Sequence, residues 1–162
     1  MLRQAEELYG PRDSSYTILG IEFSADEPQI CYPGSCGHVI IQLTPDCMSN
    51  ASKALYQLAH ECIHLLAPSG GKHANVLEEG LSTHFAAPYV RETCGVDMPY
   101  TLSSYANARA LVERLLESDG SIVRALREKQ PAMYRLTAQD IVGLRPDVPQ
   151  ELAEELTRHF AR

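Results

Sequence analysis

Between His38 and Leu43 the chain alternates, with Val39, Ile41 and Leu43 on one side and His38, Ile40 and Gln42 on the other, the two-residue period of a β-strand. Two further strands are expected before it: Ser15 to Phe23, rich in β-branched and apolar residues, and a short one at Gln29-Ile30-Cys31-Tyr32 that Pro33-Gly34 breaks. Elsewhere the period is helical. Residues 2–9 make one or two turns closed by Gly10-Pro11, and an apolar run from Ala51, capped by Ser49 or Asn50, reads as a helix to about Leu66. A second covers roughly 76–87 and stops at Pro88. A third runs from Ser103 to Glu117 with Tyr105, Ala108, Val112, Leu115 and Leu116 as its stripe, and Ile122, Val123 and Leu126 mark a fourth. Thr137-x-x-Asp140 opens a short fifth. Asp147-Val148-Pro149-Gln150 reads as cap and first turn of a last helix carrying Leu152, Leu156 and Phe160 on one side. Strands first and helices after predict an α+β fold, a small antiparallel sheet of about three strands packed on helices.

Composition narrows the function classes. A chain of 162 residues suits one domain with its own core. A net charge of −7 with only 14 basic residues argues against nucleic acid and anionic membrane as partners. The start, Met1-Leu2-Arg3-Gln4-Ala5-Glu6-Glu7, is not a secretory signal, and no apolar run is long enough to span a bilayer, so the expected compartment is the cytoplasm. Five cysteines are an odd number in such a context, so free thiols are expected at Cys31, Cys36, Cys47, Cys62 and Cys94 rather than a disulfide framework.

The chemistry concentrates in His60-Glu61-Cys62-Ile63-His64. On a helix, residues four apart lie one turn above each other, so the two imidazoles project from one face. Zinc takes histidine nitrogens at about 2 Å, and a catalytic site uses three protein ligands and leaves the fourth position to solvent. Glu61 stands beside the pair, where it can act as general base. The surroundings, Leu58, Ala59, Ile63, Leu65 and Leu66, are apolar, and an unpaired histidine among them would cost stability. After the turn Pro68-Ser69-Gly70-Gly71, Asn75 and Glu78 read as a capping pair for the next helix, with the Glu78 carboxylate reaching back to the helix start. That leaves Glu79 to face His60 and His64 as the third ligand, because a short loop makes the two helices antiparallel neighbours.

Together, His60-Glu61-x-x-His64 and Leu77-Glu78-Glu79-Gly80-Leu81-Ser82-Thr83-His84-Phe85 resemble the gluzincin metallopeptidases, whose third zinc ligand is a glutamate in a Glu-Gly-hydrophobic-small motif. The resemblance covers about a quarter of the chain and implies a compact zincin-like core, with His60, His64 and Glu79 as Zn2+ ligands, Glu61 as the base and a peptide or protein as substrate. The chain departs from the family in three ways. Only fourteen residues separate His64 from Glu79, no Gly-x-Met-Glu-Asn segment precedes the helix, and Thr83 stands where thermolysin-like members carry an aspartate one turn after the ligand. In gluzincins an edge strand beside the zinc holds an extended peptide, and residues 38–43 are the candidate, with a core strand as the other role open to that segment.

Amide hydrolysis also needs a donor to the developing oxyanion, for which Tyr105, Tyr100, His73 and His84 are candidates. The resemblance favours Tyr105, for which the other open role is the first residue of a core stripe. His84, five residues past Glu79, is rotated away from the ligand face, and His73 is a candidate to replace Glu79 on the metal. The competing function is a catalytically silent protein of the same fold that uses zinc to hold two helices and its surface to bind a partner; such a site would fill its fourth position, and Cys94 is the residue to watch. Arg109 with Glu113 and Arg124 with Glu128 read as solvated helix pairs.

Overall fold

The computed structural model describes residues 1–24, 26–35, 37–98 and 102–161. The described residues form α1 (Leu2–Tyr9), β1 (Thr17–Phe23), β2 (Gln29–Cys31), β3 (His38–Leu43), α2 (Ala51–His64), α3 (Val76–Cys94), α4 (Ser103–Ser118), α5 (Ile122–Lys129), α6 (Ala138–Leu144) and α7 (Gln150–Thr157). The fold is α+β, as the pattern predicts.

The sheet has three strands but is mixed rather than antiparallel. Its order is β1-β3-β2, with β3 antiparallel to β2 and parallel to β1. The cause is topological: β2 and β3 are consecutive and run opposite ways, so β1, which runs with β3, is parallel once β3 slots between them. Residues 38–43 are therefore the central strand and not an edge. Val39, Ile41 and Leu43 are buried with Cys47 and Leu65 in a small core between sheet and α2. The other faces of α2, with Ala59, Cys62, Ile63 and Leu66, enter a larger helical core with Leu77, Leu81, Phe85, Leu115 and Leu126. Helix α2 is thus shared between both cores.

Asn50 caps α2, its side chain accepting from Lys53 N at 3.0 Å. The helix ends at His64, two residues short of expectation. The Leu66 carbonyl is drawn out by Arg127 Nη2 (3.1 Å) and Asp13 N (2.9 Å), so tertiary partners win over the next helical turn. Helix α3 does the reverse and runs through Pro88 to Cys94, closing on Gly95 at φ 67°. Pro88 removes one helical hydrogen bond, yet Phe85, Ala86, Ala87 and Val90 are buried on both sides of it, and that burial holds the helix together.

Two expectations at the C-terminal end fail. Asp147 does not cap α7; it pairs with Arg145 at 2.8 Å, and α7 starts from Pro149 without a side-chain cap. Phe160 is not on α7, which stops at Thr157. Instead residues 158–160 pair with 74–76, through Val76 N to Arg158 O and Phe160 N to Ala74 O, both 3.0 Å. Arg109 bonds Glu113 at 2.6 Å as expected, whereas Arg124 donates to the Glu7 carbonyl at 2.6 Å. Cys31, Cys47, Cys62 and Cys94 are free thiols, and Cys36 lies outside the described residues. Among the described residues no helix is long and apolar enough to cross a membrane.

Candidate metal centre

The packing of α2 on α3 brings the side chains of His60, His64 and Glu79 together, with ligand atoms all within 4.8 Å of one another. The two imidazole rings stand one turn apart, centroids 5.2 Å apart. Glu79 lies between them: Oε2 is 3.1 Å from His60 Nε2 and Oε1 is 3.8 Å from His64 Nε2. Ligands about 2 Å from a tetrahedral zinc are about 3.3 Å apart, so this donor set fits the ion with small shifts. Among the described residues no fourth His, Cys, Asp or Glu joins the group. Cys94 is fifteen residues along α3 from Glu79, about 22 Å at the helical rise, too far to be a ligand.

Glu78 departs from its expected role. Its backbone N–H does donate to Asn75 Oδ1 at 2.9 Å, so the cap forms. Its carboxylate, however, turns away from the helix start to His64, with Oε1 2.8 Å from Nδ1. A carboxylate accepts only, so Nδ1 carries the hydrogen and Nε2 is the nitrogen aimed at Glu79. The adjacent residues Glu78 and Glu79 thus take His64 from two sides. The signal was present in the sequence: two consecutive carboxylates inside the apolar stretch 76–87 cannot both reach water on a helix buried nearly all round.

Glu61, Glu78 and Glu79 are all buried, at 2, 3 and 6 % exposure, and their charges need compensation. Burial raises the Glu61 pKa, only partly offset by His64 and His60. For Glu79 burial acts upward too, but the His64 charge and the hydrogen bond from His60 outweigh it and hold the carboxylate ionised. Burial would neutralise His64; Glu79, then Glu78 and Glu61, prevail and push its pKa up to about 10. Without a metal, a proton on His64 therefore supplies the missing positive charge, and a cation must displace it.

Tyr105 reaches the centre from α4. Its ring packs edge-on against His60, centroids 5.8 Å apart, and tilts against Phe160 at 5.0 Å. Burial, with Glu79 and Glu61 next, raises its pKa, so the phenol keeps its proton. Gly80 makes this approach possible. A Cβ there would sit 2.4 Å from the Ala108 carbonyl oxygen and 2.7 Å from Val112 Cγ2, so only glycine lets α4 lie this close beside the turn of α3 that carries Glu79.

The centre opens into a cleft of about 880 Å³. One wall is β2, with Gln29, Ile30 and Cys31; facing it are Gly71, Lys72 and His73 from the α2–α3 connection. The walls are tied by Lys72 to Glu27 at 2.7 Å. Phe160 and His159 line the cleft through the 158–160 pairing, which no short-range pattern announces. His73 also lines it, 6.2 Å from the Tyr134 ring, but is not in the ligand group. His84 points elsewhere, 3.5 Å from Glu113, and burial lowers its pKa. Tyr100 lies outside the described residues. Thr83 donates to the Glu79 carbonyl at 2.9 Å. No protein-family model, curated protein or solved structure matches the chain.

Proposed function

We propose that the chain is a zinc-dependent peptidase of the gluzincin kind, with His60, His64 and Glu79 as the metal ligands. The observation that carries this reading is the convergence of these three donors beside a buried glutamate, at the floor of an open cleft. It agrees with the resemblance carried by the residues from His60 to His64 and from Leu77 to Phe85. A bound zinc ion would polarise the substrate carbonyl and acidify a water molecule. Glu61 takes the proton of the attacking water and returns it to the leaving nitrogen. Its upward-shifted pKa favours holding that proton between the two steps. Tyr105, protonated and in contact with His60, is the donor to the oxyanion.

The substrate is a peptide or protein. With residues 38–43 enclosed in the sheet, the strand that lies along the cleft with a free edge is β2, and an extended peptide pairs there through its backbone groups. The four free thiols suit a reducing compartment, which is why the cytoplasm is its proposed location.

The test is bound zinc and hydrolysis of a broad peptide library, measured together for the wild type, Glu61→Gln and Tyr105→Phe. All three are expected to hold one zinc. Glu61→Gln loses about 10²- to 10⁴-fold in rate, and Tyr105→Phe about 10²- to 10³-fold. Zinc uptake with no hydrolysis by the wild type would leave a structural site and remove the peptidase.

A further inference from the structure

Glu78 is a carboxylate buried with a single side-chain hydrogen bond. Oε1 accepts from His64 Nδ1 at 2.8 Å, and Oε2 is buried without a partner. A carboxylate taken out of water this way is costly unless its one contact is strong or its charge is used by its surroundings. Both conditions are met around His64. With its Nδ1–H held by Glu78, the ring is fixed in the tautomer whose Nε2 points at Glu79, and its basicity as a ligand is raised.

The helix explains how one residue can do this beside another that ligates. Successive residues are turned by about 100°, so Glu79 projects between the two imidazoles while Glu78 comes round to the far side of His64. Thr83, at the position where the resembled family has its aspartate, is committed to the Glu79 carbonyl. Charge points the same way. The field of the buried Arg127 guanidinium reaches Glu78 first and then Glu6, and the guanidinium is otherwise engaged by the carbonyls of Tyr9, Gly10, Pro11, Leu66 and Pro131. With neutral imidazoles, the carboxylates of Glu78 and Glu79 on either side of His64 match the charge of one divalent cation.

We infer that Glu78 is the positioning residue of the metal centre: it orients His64 for ligation and supplies the charge that fits the pocket to a dication, the task that Thr83 leaves undone. This rests on the reading of His60, His64 and Glu79 as a zinc centre. It does not require hydrolysis.

The experiment measures zinc affinity by chelator competition, and the visible absorption of the cobalt(II)-loaded protein, for the wild type, Glu78→Gln, Glu78→Ala and Asn75→Ala. Glu78→Gln keeps an acceptor at the same reach without the charge, and is expected to weaken zinc at the lower end of the 10- to 100-fold range, with Glu78→Ala at the upper end and its cobalt bands displaced. Asn75→Ala removes the cap of the same turn. It should lower the melting temperature of the metal-free protein and leave zinc affinity within about threefold. Should Glu78→Ala not fold, the near-isosteric Glu78→Gln decides. Zinc affinity within about threefold of wild type in Glu78→Gln, or an equal loss in Asn75→Ala, would overturn the role. A wild type that binds zinc but cleaves nothing, with the Glu78 variants weakened, removes the peptidase and keeps the positioning role; a wild type that takes up no zinc removes both.

Discussion

His64 carries the electrostatics of the centre, because it is held from both sides by carboxylates and only 16 % of its side chain is exposed to solvent. In the metal-free protein its pKa rises from 6.5 to about 10, the pull of Glu79, Glu78 and Glu61 exceeding the effect of burial. A raised pKa means that the folded state binds the proton more tightly than the unfolded chain. The resulting stability is whole below pH 6.5 and fades as pH climbs to about 10. Melting temperatures of chelator-treated protein between these limits should therefore fall as pH rises, and zinc-saturated protein should lack that dependence. A flat profile without metal would mean that His64 is not clamped between the carboxylates. At this scale the sequence was legible for His60, Glu61 and His64 because helical spacing sets them in register, and for Glu79 because a short connection lays α3 beside α2. Glu78 was misread because Asn75-x-x-Glu78 satisfies a capping pattern, and no local rule says which way a side chain turns when a histidine on another helix competes for it.

The elements were read better at their starts than at their ends. Asn50, Asn75 and Thr137 cap α2, α3 and α6 as their residue types suggest. Stops failed where distant residues decided them: Arg127 shortens α2, and burial carries α3 across Pro88. Gly80 shows the same dependence on a neighbour. In an isolated helix, glycine to alanine stabilises by about 1 kcal/mol. Here the new Cβ would press on the Ala108 carbonyl at 2.4 Å, backbone that cannot swing aside. Overpacking of this kind costs about 1–3 kcal/mol, so the clash wins. Gly80→Ala should lower the melting temperature and move α4 with Tyr105 off the centre, lowering hydrolysis more than zinc affinity. A variant with a raised melting temperature would show that α3 and α4 are not in close contact at this turn.

Across the whole molecule, α2 joins two cores, one against the sheet and one among the helices, and carries the histidines along the line between them. Fold class was legible because it follows from the order of periods along the chain. Strand order was not, since β3 enters between β1 and β2 by pairing with β1 across 20 to 21 residues, which no local pattern encodes. The same holds for the cleft, whose walls come from β2, the α2–α3 connection, α4 and residues 158–160. What unites these parts is the His60, His64 and Glu79 group open to that cleft, proposed here as a cation site. X-ray absorption at the zinc edge of the loaded protein tests it most directly. The expected spectrum shows one zinc per chain with two imidazole nitrogens, carboxylate oxygen and a further light-atom ligand from solvent, and the imidazole signal is lost in His60→Ala and His64→Ala. Sulfur in the coordination sphere, or zinc uptake unaffected by those substitutions, would contradict it.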